Sequence, residues 1–356
     1  MKTRRLPFRV MIAVVLAMFL LTACRGTFVN TWPGAAANQD AVYVAFQGSI
    51  QAINAANGST ICSFPSEPDA ARPFYAAPAV SEDLVVAGNY GHVVYGFNKN
   101  CVEQWSFDAG SGNFVASPLI VDDIVLAPSS NDNLYALDAS TGAEIWRFQS
   151  GNMLWATPAS DGETVYLPAL DHTLYALNLD DGSLIWKTDL GSALVSAPVV
   201  EEDMLYIGAL SGEVLAVNTT DGSIAWRTQT NGQIWSTPVL HENVLYTGNE
   251  AGMVSAISIA DGSFVWPQQN AGGPIIGGGV LIEEGILFPL ENGRLVAYNF
   301  QGEPIQMWNQ SINGKLYSTP VVAGQTLVVP VTEGGDKLLQ AFSLNGQQSW
   351  PYALPK

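Results

Sequence analysis

Short apolar runs alternate with polar turn residues along most of the chain. Between residues 196 and 230, the runs SAPVV, MLYIG, EVLAVN and IAWRTQT are separated by EED, LSG and TTDG. Runs of about four to seven residues rich in Val, Ile, Tyr and Trp, divided by Gly and Asp turns, are typical of antiparallel hairpins. The pattern predicts an all-β protein built from short strands.

The same strand pattern returns at an interval of forty residues. A proline marks the start of six units, at Pro78, Pro118, Pro158, Pro198, Pro238 and Pro320. Val280 takes the proline position after a two-residue insertion, and Ala35 takes it in the first unit. About four strands per forty residues is the signature of a propeller blade. The sequence therefore predicts an eight-bladed β-propeller of four-stranded antiparallel blades over residues 31–356.

A second repeated phrase contains an alanine, a glycine and a tryptophan at fixed spacing. It reads Ala136, Gly142 and Trp146 in one unit and returns in the next three. The phrase resembles the tryptophan-docking motif of the PQQ-repeat (quinoprotein-type) propellers, in which the Trp lies between the Ala of its own blade and the Gly backbone of the next. Alanine leaves room for the ring, and glycine permits the close approach. The resemblance assigns blade docking to Trp105, Trp146, Trp186, Trp226, Trp266, Trp308 and Trp350, with slipped spacing in the seventh and eighth copies.

The first docking phrase has no tryptophan. Cys62 stands in the Trp position of the first unit, and Cys101 stands in the Gly position of the second. In the family geometry these positions touch across the seam between blades 1 and 2, so the resemblance implies a Cys62–Cys101 disulfide in place of the docking contact. An oxidising compartment permits such a bond. Two buried free thiols are the alternative.

The first residues are typical of a targeting segment rather than of a fold. Basic residues precede the apolar run VMIAVVLAMFLL, and LTAC follows it, ending at Cys24. The run is short for a membrane span, and a small residue directly before a cysteine resembles the lipobox of bacterial lipoproteins. We expect a lipoprotein signal peptide at 1–23, a lipidated Cys24 that anchors the mature chain to a bacterial membrane outside the cytoplasm, and a short linker at 24–30. An ordinary secretory signal with an incidental cysteine is the alternative.

The charge balance excludes one class of function. The chain carries 14 basic and 32 acidic residues. Removal of residues 1–23 takes away four basic and no acidic residues, which leaves a net charge of −22. This balance lacks the basic footprint of a nucleic-acid binder. We expect a monomer that binds no nucleic acid.

The predicted strand order separates two faces of the ring. The blade entries and the hairpins between second and third strands lie on one face. Five of the eight entry positions there are aromatic: Trp32, Tyr75, Trp155, Trp235 and Tyr317. Aromatic residues are enriched at binding interfaces, so these five are candidates for a partner-binding rim. The alternative is that their rings pack between inner strands.

The opposite face gathers acidic turns, among them those at Asp122, Asp181 and Asp221. Turn chemistry alone favours Asp at such positions. Two interpretations stay open, a solvated face and a docking surface for a basic partner or divalent cations.

The sequence gives little support for catalysis. The quinoprotein dehydrogenases of this family need a calcium site, a catalytic Asp and often two adjacent cysteines, and here no two cysteines adjoin. His92 and His172 occupy equivalent hairpins of blades 2 and 4, too far apart to share a metal easily. We identify no catalytic residue, no metal site and no cofactor.

A lipid anchor, eight blades of this repeat and no catalytic role together resemble the BamB family of outer-membrane assembly lipoproteins. The resemblance implies an extracytoplasmic, membrane-anchored scaffold that binds other envelope or membrane proteins through loops on one face. Fold alone does not fix function. The alternatives are a PQQ-dependent dehydrogenase-like enzyme with PQQ and calcium, and a solute- or polysaccharide-binding sensor.

Overall fold

The structure, a computed structural model, describes residues 33–69, 71–334 and 337–353. These residues form eight sheets of four strands, and each sheet consists of strands that are consecutive in the sequence. Neighbouring strands pair antiparallel, as in β1–β2, β2–β3 and β3–β4 of the first sheet. The eight-bladed β-propeller predicted from the forty-residue repeat is confirmed. The predicted signal peptide at 1–23, Cys24 and the linker at 24–30 lie outside the described residues.

The four strands of each blade run from the centre of the ring outwards. The first strands are β1 (Ala35–Ala37), β5 (Ala79–Val80), β9 (Leu119–Val121), β13 (Ala159–Ser160), β17 (Val199–Glu201), β21 (Val239–His241), β25 (Val280–Ile282) and β29 (Val321–Ala323). The second strands are β2 (Ala41–Phe46), β6 (Val85–Gly88), β10 (Ile124–Pro128), β14 (Thr164–Pro168), β18 (Met204–Gly208), β22 (Val244–Gly248), β26 (Gly285–Pro289) and β30 (Thr326–Pro330).

The outer half of each blade follows the same order. The third strands are β3 (Ser49–Asn54), β7 (Val93–Phe97), β11 (Asn133–Asp138), β15 (Thr173–Asn178), β19 (Glu213–Asn218), β23 (Met253–Ser258), β27 (Arg294–Asn299) and β31 (Lys337–Ser343). The fourth strands are β4 (Thr60–Phe64), β8 (Glu103–Asp108), β12 (Glu144–Gln149), β16 (Leu184–Asp189), β20 (Ile224–Gln229), β24 (Gln269–Asn270), β28 (Gln310–Ser311) and β32 (Gln348–Ala353). One 3-10 turn, Gln306–Trp308, interrupts the outer edge of blade 7. In the described part of the chain, no helix is long and apolar enough to cross a membrane.

The second and third strands carry the core. Residues such as Leu134–Leu137 are fully or almost fully buried in succession, because both faces of each sheet pack against a neighbouring blade. This is why these strands read as continuous apolar runs rather than as an alternation. The fourth strands lie at the outer edge and do alternate: in β12, Trp146 is buried between the exposed Ile145 and Arg147. Burial pattern therefore follows position in the blade.

The buried residues form eight layers, and each layer is shared by two adjacent blades. Layers join every consecutive pair of blades from 1 to 8. The eighth layer packs Val42 and Val44 of blade 1 against Val328 and Leu339 of blade 8, and so closes the ring. Among the described residues, the sheet of blade 8 consists of β29–β32 in chain order, so the closure between them uses side-chain packing and no strand exchange.

A tryptophan clasp holds most of the seams at their outer edge. Trp146 pairs with Ala136 in its own blade, and its Nε1 donates to the Leu179 carbonyl of the next blade at 2.8 Å. The ring lies so close to Gly182 that an added Cβ there would sit 2.5 Å from Trp146 Cε3. Equivalent indole hydrogen bonds are made by Trp105, Trp186, Trp226 and, across the closing seam, Trp350.

Blade 7 departs from the clasp, as its slipped spacing suggests. Trp266 still lies against Gly302, but its buried Nε1 has no hydrogen-bond partner. The turn is one residue shorter here, with Gly302 five positions after Ala297 rather than six. Trp308 lies in the 3-10 turn and packs edge-on against Phe342.

A disulfide occupies the seam between blades 1 and 2. It joins Cys62 on β4 to Cys101 in the turn before β8, with the Cα atoms 5.9 Å apart. Cys101 has a φ of 59°, close to the 70° of Gly142 at the equivalent position. A cysteine thus adopts the left-handed backbone that glycine takes elsewhere in the ring. On the other side of blade 2, Gly96 replaces the usual alanine beneath Trp105.

Candidate protein-binding face

Backbone hydrogen bonds tie the loops into two separate faces. The segment entering a blade bonds to the hairpin between the second and third strands, for example Leu170 N to Met153 O at 3.1 Å. The turn between the third and fourth strands bonds to the turn between the first and second, for example Leu179 N to Glu163 O at 2.9 Å. We call the first side the entry face and the second the turn face. The same pairs of loops recur in other blades, so the two faces extend around the ring.

In most of the described entry segments, one buried residue sets the direction of its neighbours. Leu154 is fully buried in the layer between blades 3 and 4. Successive residues of an extended segment point to opposite sides, and the flanking Met153 and Trp155 are accordingly 37% and 45% exposed. Buried anchors occupy the equivalent position in most other blades, at Phe74, Phe114, Leu194, Ile234 and Leu316. The Trp155 ring is therefore presented to solvent by a rigid backbone.

The other predicted rim residues differ from one another. Tyr75 is half-buried against Tyr90, with ring centroids 4.7 Å apart, and burial raises the pKa of Tyr75. Trp235 is half-buried, and its Nε1 has no hydrogen-bond partner. Trp32 lies outside the described residues. Tyr75 therefore contacts a second tyrosine, Tyr90, whereas Trp155 and Trp235 lie in the entry segments of two different blades, 4 and 6.

Tyr317 belongs to a polar cluster rather than to an open aromatic rim. Its hydroxyl donates to Glu291 Oε1 at 3.0 Å and accepts from Lys315 Nζ at 3.1 Å. Lys315 also pairs with Glu291 at 3.3 Å. The hydrogen bonds from Lys315 to Tyr317 and Glu291 raise the pKa of the lysine.

Two exposed residues of this face were not among the predicted rim residues. Tyr90 lies in the hairpin after β6 and is exposed, and Met153 precedes the Leu154 anchor. The alternation about the buried anchor is the sequence signal that identifies Met153. The position of Tyr90 in the hairpin between the second and third strands is the sequence signal that places it on this face. In the structure its backbone N–H donates to the Pro73 carbonyl of the entry segment.

The turn face carries carboxylates that act as local hydrogen-bond acceptors. Asp138 accepts from the hydroxyls and backbone N–H groups of Ser140 and Thr141, which lowers its pKa to about 2. Side-chain and backbone hydrogen bonds from a serine two positions on lower the pKa of Asp181, Asp221 and Asp261 in the same way. Each of these acids closes its own turn. Within the described residues, no group of three or more His, Cys, Asp or Glu side chains is placed to hold a metal ion.

One acid of the turn face is tied to the interior. Asp161 accepts a 2.7 Å hydrogen bond from the Tyr166 hydroxyl. Partial burial opposes ionisation of Asp161, but backbone hydrogen bonds from Thr164 and Glu163 and the tyrosine outweigh it, and its pKa is lowered. Burial and the neighbouring carboxylate raise the pKa of Tyr166 to about 12.

The histidines lie apart and have local contacts. His92 and His172 take left-handed backbone conformations in equivalent hairpins, with φ of 70° and 72°. A ring nitrogen of His92 bonds to the Gly112 carbonyl. His241 stacks on Phe300 with ring centroids 4.3 Å apart.

The lowered pKa values of the turn-face acids predict how stability depends on pH. A carboxyl whose pKa is lower in the folded than in the unfolded chain stabilises the fold above its unfolded pKa of about 4. We expect the melting temperature to fall as pH drops from about 4 towards the Asp138 value of about 2. Asp138→Asn keeps an acceptor oxygen but does not titrate, so its melting curve should fall less steeply. An identical slope in wild type and variant would contradict the assignment.

The fold and the tryptophan clasp define the class of protein: an eight-bladed, PQQ-repeat propeller with tryptophan docking. The family of outer membrane protein assembly factor BamB matches the chain over residues 26–153, 130–275 and 250–355. The protein therefore belongs to the BamB family. No curated protein sequence matches the chain.

Solved structures share the fold at low sequence identity. BamB from Moraxella catarrhalis matches with a TM-score of 0.74 and 18% identity, over 87% of this chain and 93% of that one. The computationally designed Ika8 protein matches with a TM-score of 0.75 and 13% identity, over 89% of this chain and 98% of that one. A designed propeller thus fits this backbone as well as the BamB structure does, and the likeness is one of fold.

Proposed function

We propose that the protein is an extracytoplasmic scaffold, anchored to a bacterial membrane through lipidated Cys24, that binds other outer-membrane assembly proteins through its entry face. The proposed role needs no catalytic residue and no cofactor. In this role the protein acts as a monomer in the cell envelope. Membership of the BamB family supports the kind of partner. The observation that carries the proposal is Trp155, a large aromatic ring that the buried Leu154 holds outward.

Trp155 has the properties of an interface anchor. Tryptophan and methionine are enriched at the cores of protein interfaces, and a few aromatic residues commonly provide most of the binding energy. Hydrogen bonds tie the backbone just before Trp155 to both adjacent blades. Ser150 N donates to the Asp132 carbonyl of blade 3, and Leu170 N of blade 4 donates to the Met153 carbonyl. Binding of a partner over Trp155 therefore loses little conformational entropy, because this loop is already ordered.

Site-specific photo-crosslinking in cells tests this proposal. A photoreactive amino acid at Trp155 should form adducts with outer-membrane assembly proteins, whereas the same group at Asp221, on the turn face, should not. Trp155→Ala should weaken binding of the crosslinked partner by roughly 10-fold or more. Because the ring is nearly half exposed, the variant should lose less than about 1 kcal/mol of stability. Adducts at position 221 alone, or a large loss of stability without loss of binding, would contradict the proposal.

A further inference from the structure

A small cavity opens at the seam between blades 7 and 8. Its volume is about 150 Å³, and it lies between β28 and the outer strands β31 and β32. The floor is formed by the buried Gln340, Phe342 and Val331, and exposed residues such as Asn313, Lys337 and Gln348 stand around it. The cavity is therefore within reach of solvent.

The slipped clasp of blade 7 accounts for the gap. In five other seams, those that follow blades 2, 3, 4, 5 and 8, a tryptophan on a regular outer strand lies against the next glycine. Here Trp308 lies in the 3-10 turn, and the fourth strand is reduced to Gln310–Ser311. Near Gly346 the structure has the Met307 carbonyl and the Gln310 amide instead of an indole ring. The outer edge of the seam is left incompletely filled.

The floor of the cavity contains an amide group without a partner. Gln340 is 5% exposed, and its buried Nε2 makes no hydrogen bond. A buried donor in this condition costs free energy unless something in the cavity accepts its hydrogen bond. Gln340 is one of the residues that line the cavity, and its Nε2 is buried at that wall.

A second glutamine in the ring provides the comparison. Gln51 occupies the equivalent position in blade 1, next to the clasp alanine, and is 6% exposed. Its Nε2 donates to Ser49 Oγ and Ser63 Oγ, both at 2.9 Å. The same side chain at the same depth is thus satisfied by the protein in blade 1.

Blade 8 has neither of these acceptors. Ser63 is the cross-strand partner of Gln51, and the cross-strand partner of Gln340 is Pro351. Ser49 lies two residues before Gln51, and the residue two before Gln340 is Leu338. Neither replacement has a side-chain acceptor. Gln340 thus occupies the position of Gln51 without the two serine acceptors.

We propose that this cavity binds a carboxylate, with the Gln340 amide and the Lys337 ammonium as donors. Lys337 is the charged residue that lines the cavity, and none of the described lining residues is acidic. That is notable in a chain with 32 acidic residues against 14 basic ones. The volume of about 150 Å³ matches that of an engineered protein cavity that binds benzene, about 150 Å³, and is enough for a small hydroxy acid. The carboxylate belongs either to a free acid or to an acidic side chain of a bound protein.

Ligand-observed NMR on the full-length protein in detergent tests the site with L-lactate as the probe. Lactamide has the same shape without the charge. We expect saturable lactate binding that is at least about 10-fold tighter than lactamide binding. Lys337→Met should remove most of this preference for the charged ligand. A second probe, a short peptide with blocked ends and one Glu, should bind more tightly than its Gln counterpart if the carboxylate comes from a protein.

Two matched variants separate binding from folding. Gln340→Leu should abolish carboxylate binding and leave the melting temperature unchanged or higher, because it removes an unsatisfied amide. Gln51→Leu should lower the melting temperature, because two serine hydroxyls lose their donor, and should leave binding intact. Binding that survives Gln340→Leu, equal affinity for lactate and lactamide, or failure of both the lactate and the Glu peptide to bind would overturn the proposal. None of these outcomes depends on Trp155, so the entry-face proposal stands or falls separately.

Discussion

Trp350→Ala is expected to lower the free energy of unfolding by about 3–5 kcal/mol, the range for replacing a buried Trp by Ala. Trp350 is 8% exposed and packs in the layer between blades 8 and 1. Its Nε1 donates to the Ala55 carbonyl at 3.1 Å, and its ring lies against Gly58. Within residues 33–353, as far as the structure describes them, no strand of blade 1 enters the sheet of blade 8, so this side chain is a main part of the ring closure there. Denaturant unfolding measures the effect.

The matched control for the closing seam is Trp146→Ala. Trp146 makes the same clasp between blades 3 and 4. Those two blades are also joined by the continuous chain, whereas blades 8 and 1 are not. Similar losses are expected for the two variants, but Trp350→Ala should additionally speed proteolysis of blades 1 and 8, which it frees from each other. If Trp146→Ala costs several kcal/mol and Trp350→Ala costs less than about 1 kcal/mol, the ring is closed by other contacts.

Gly182→Ala is expected to cost about 2–5 kcal/mol. Gly182 has a φ of 70°, and an added Cβ would lie 2.5 Å from Trp146 Cε3. The left-handed backbone costs a residue with a Cβ about 1–2 kcal/mol, and overpacking a tight contact costs about 1–3 kcal/mol more. The two causes act at the same atom, since the new methyl group is forced into the indole ring. Thermal or denaturant unfolding gives the loss.

Gly110→Ala isolates the backbone part of this cost. Gly110 has the same φ of 70°, but an added Cβ there meets nothing within 4 Å. We expect a loss of about 1–2 kcal/mol from this variant. The difference between the two glycines measures the steric part of the clasp. Equal losses would show that the tryptophan shifts freely, and that the clasp is looser than the structure indicates.

The sequence determined the architecture because the evidence is local and repeated. Pro158 and the Ala136, Gly142, Trp146 phrase recur at forty-residue intervals, so one unit interpreted correctly gives all the others. The slipped spacing at Gly302 also marked the blade where the clasp changes. Even the positive φ of Cys101 follows from its place in the glycine register.

The surface was less predictable, because it depends on contacts between distant residues. Trp155 and Tyr317 occupy the same position in the repeat, yet one ring is exposed and the other is tied to Glu291, which lies 26 residues away. Gln51 and Gln340 are likewise identical in kind and register. They differ in two neighbouring residues of their blades, which are serines beside Gln51 and residues without a side-chain acceptor beside Gln340. The forty-residue repeat does not indicate that difference.

The shared layers have a consequence for how such a protein can change during evolution. In an open array of repeats, the two terminal units need polar caps, because each has one apolar face without a neighbour. A closed ring has no terminal units, so every blade of this protein keeps an apolar face on both sides. Loss or gain of a single unit would alter the angle at every seam, including each tryptophan contact. The number of blades is therefore fixed by the whole ring and not by any one repeat.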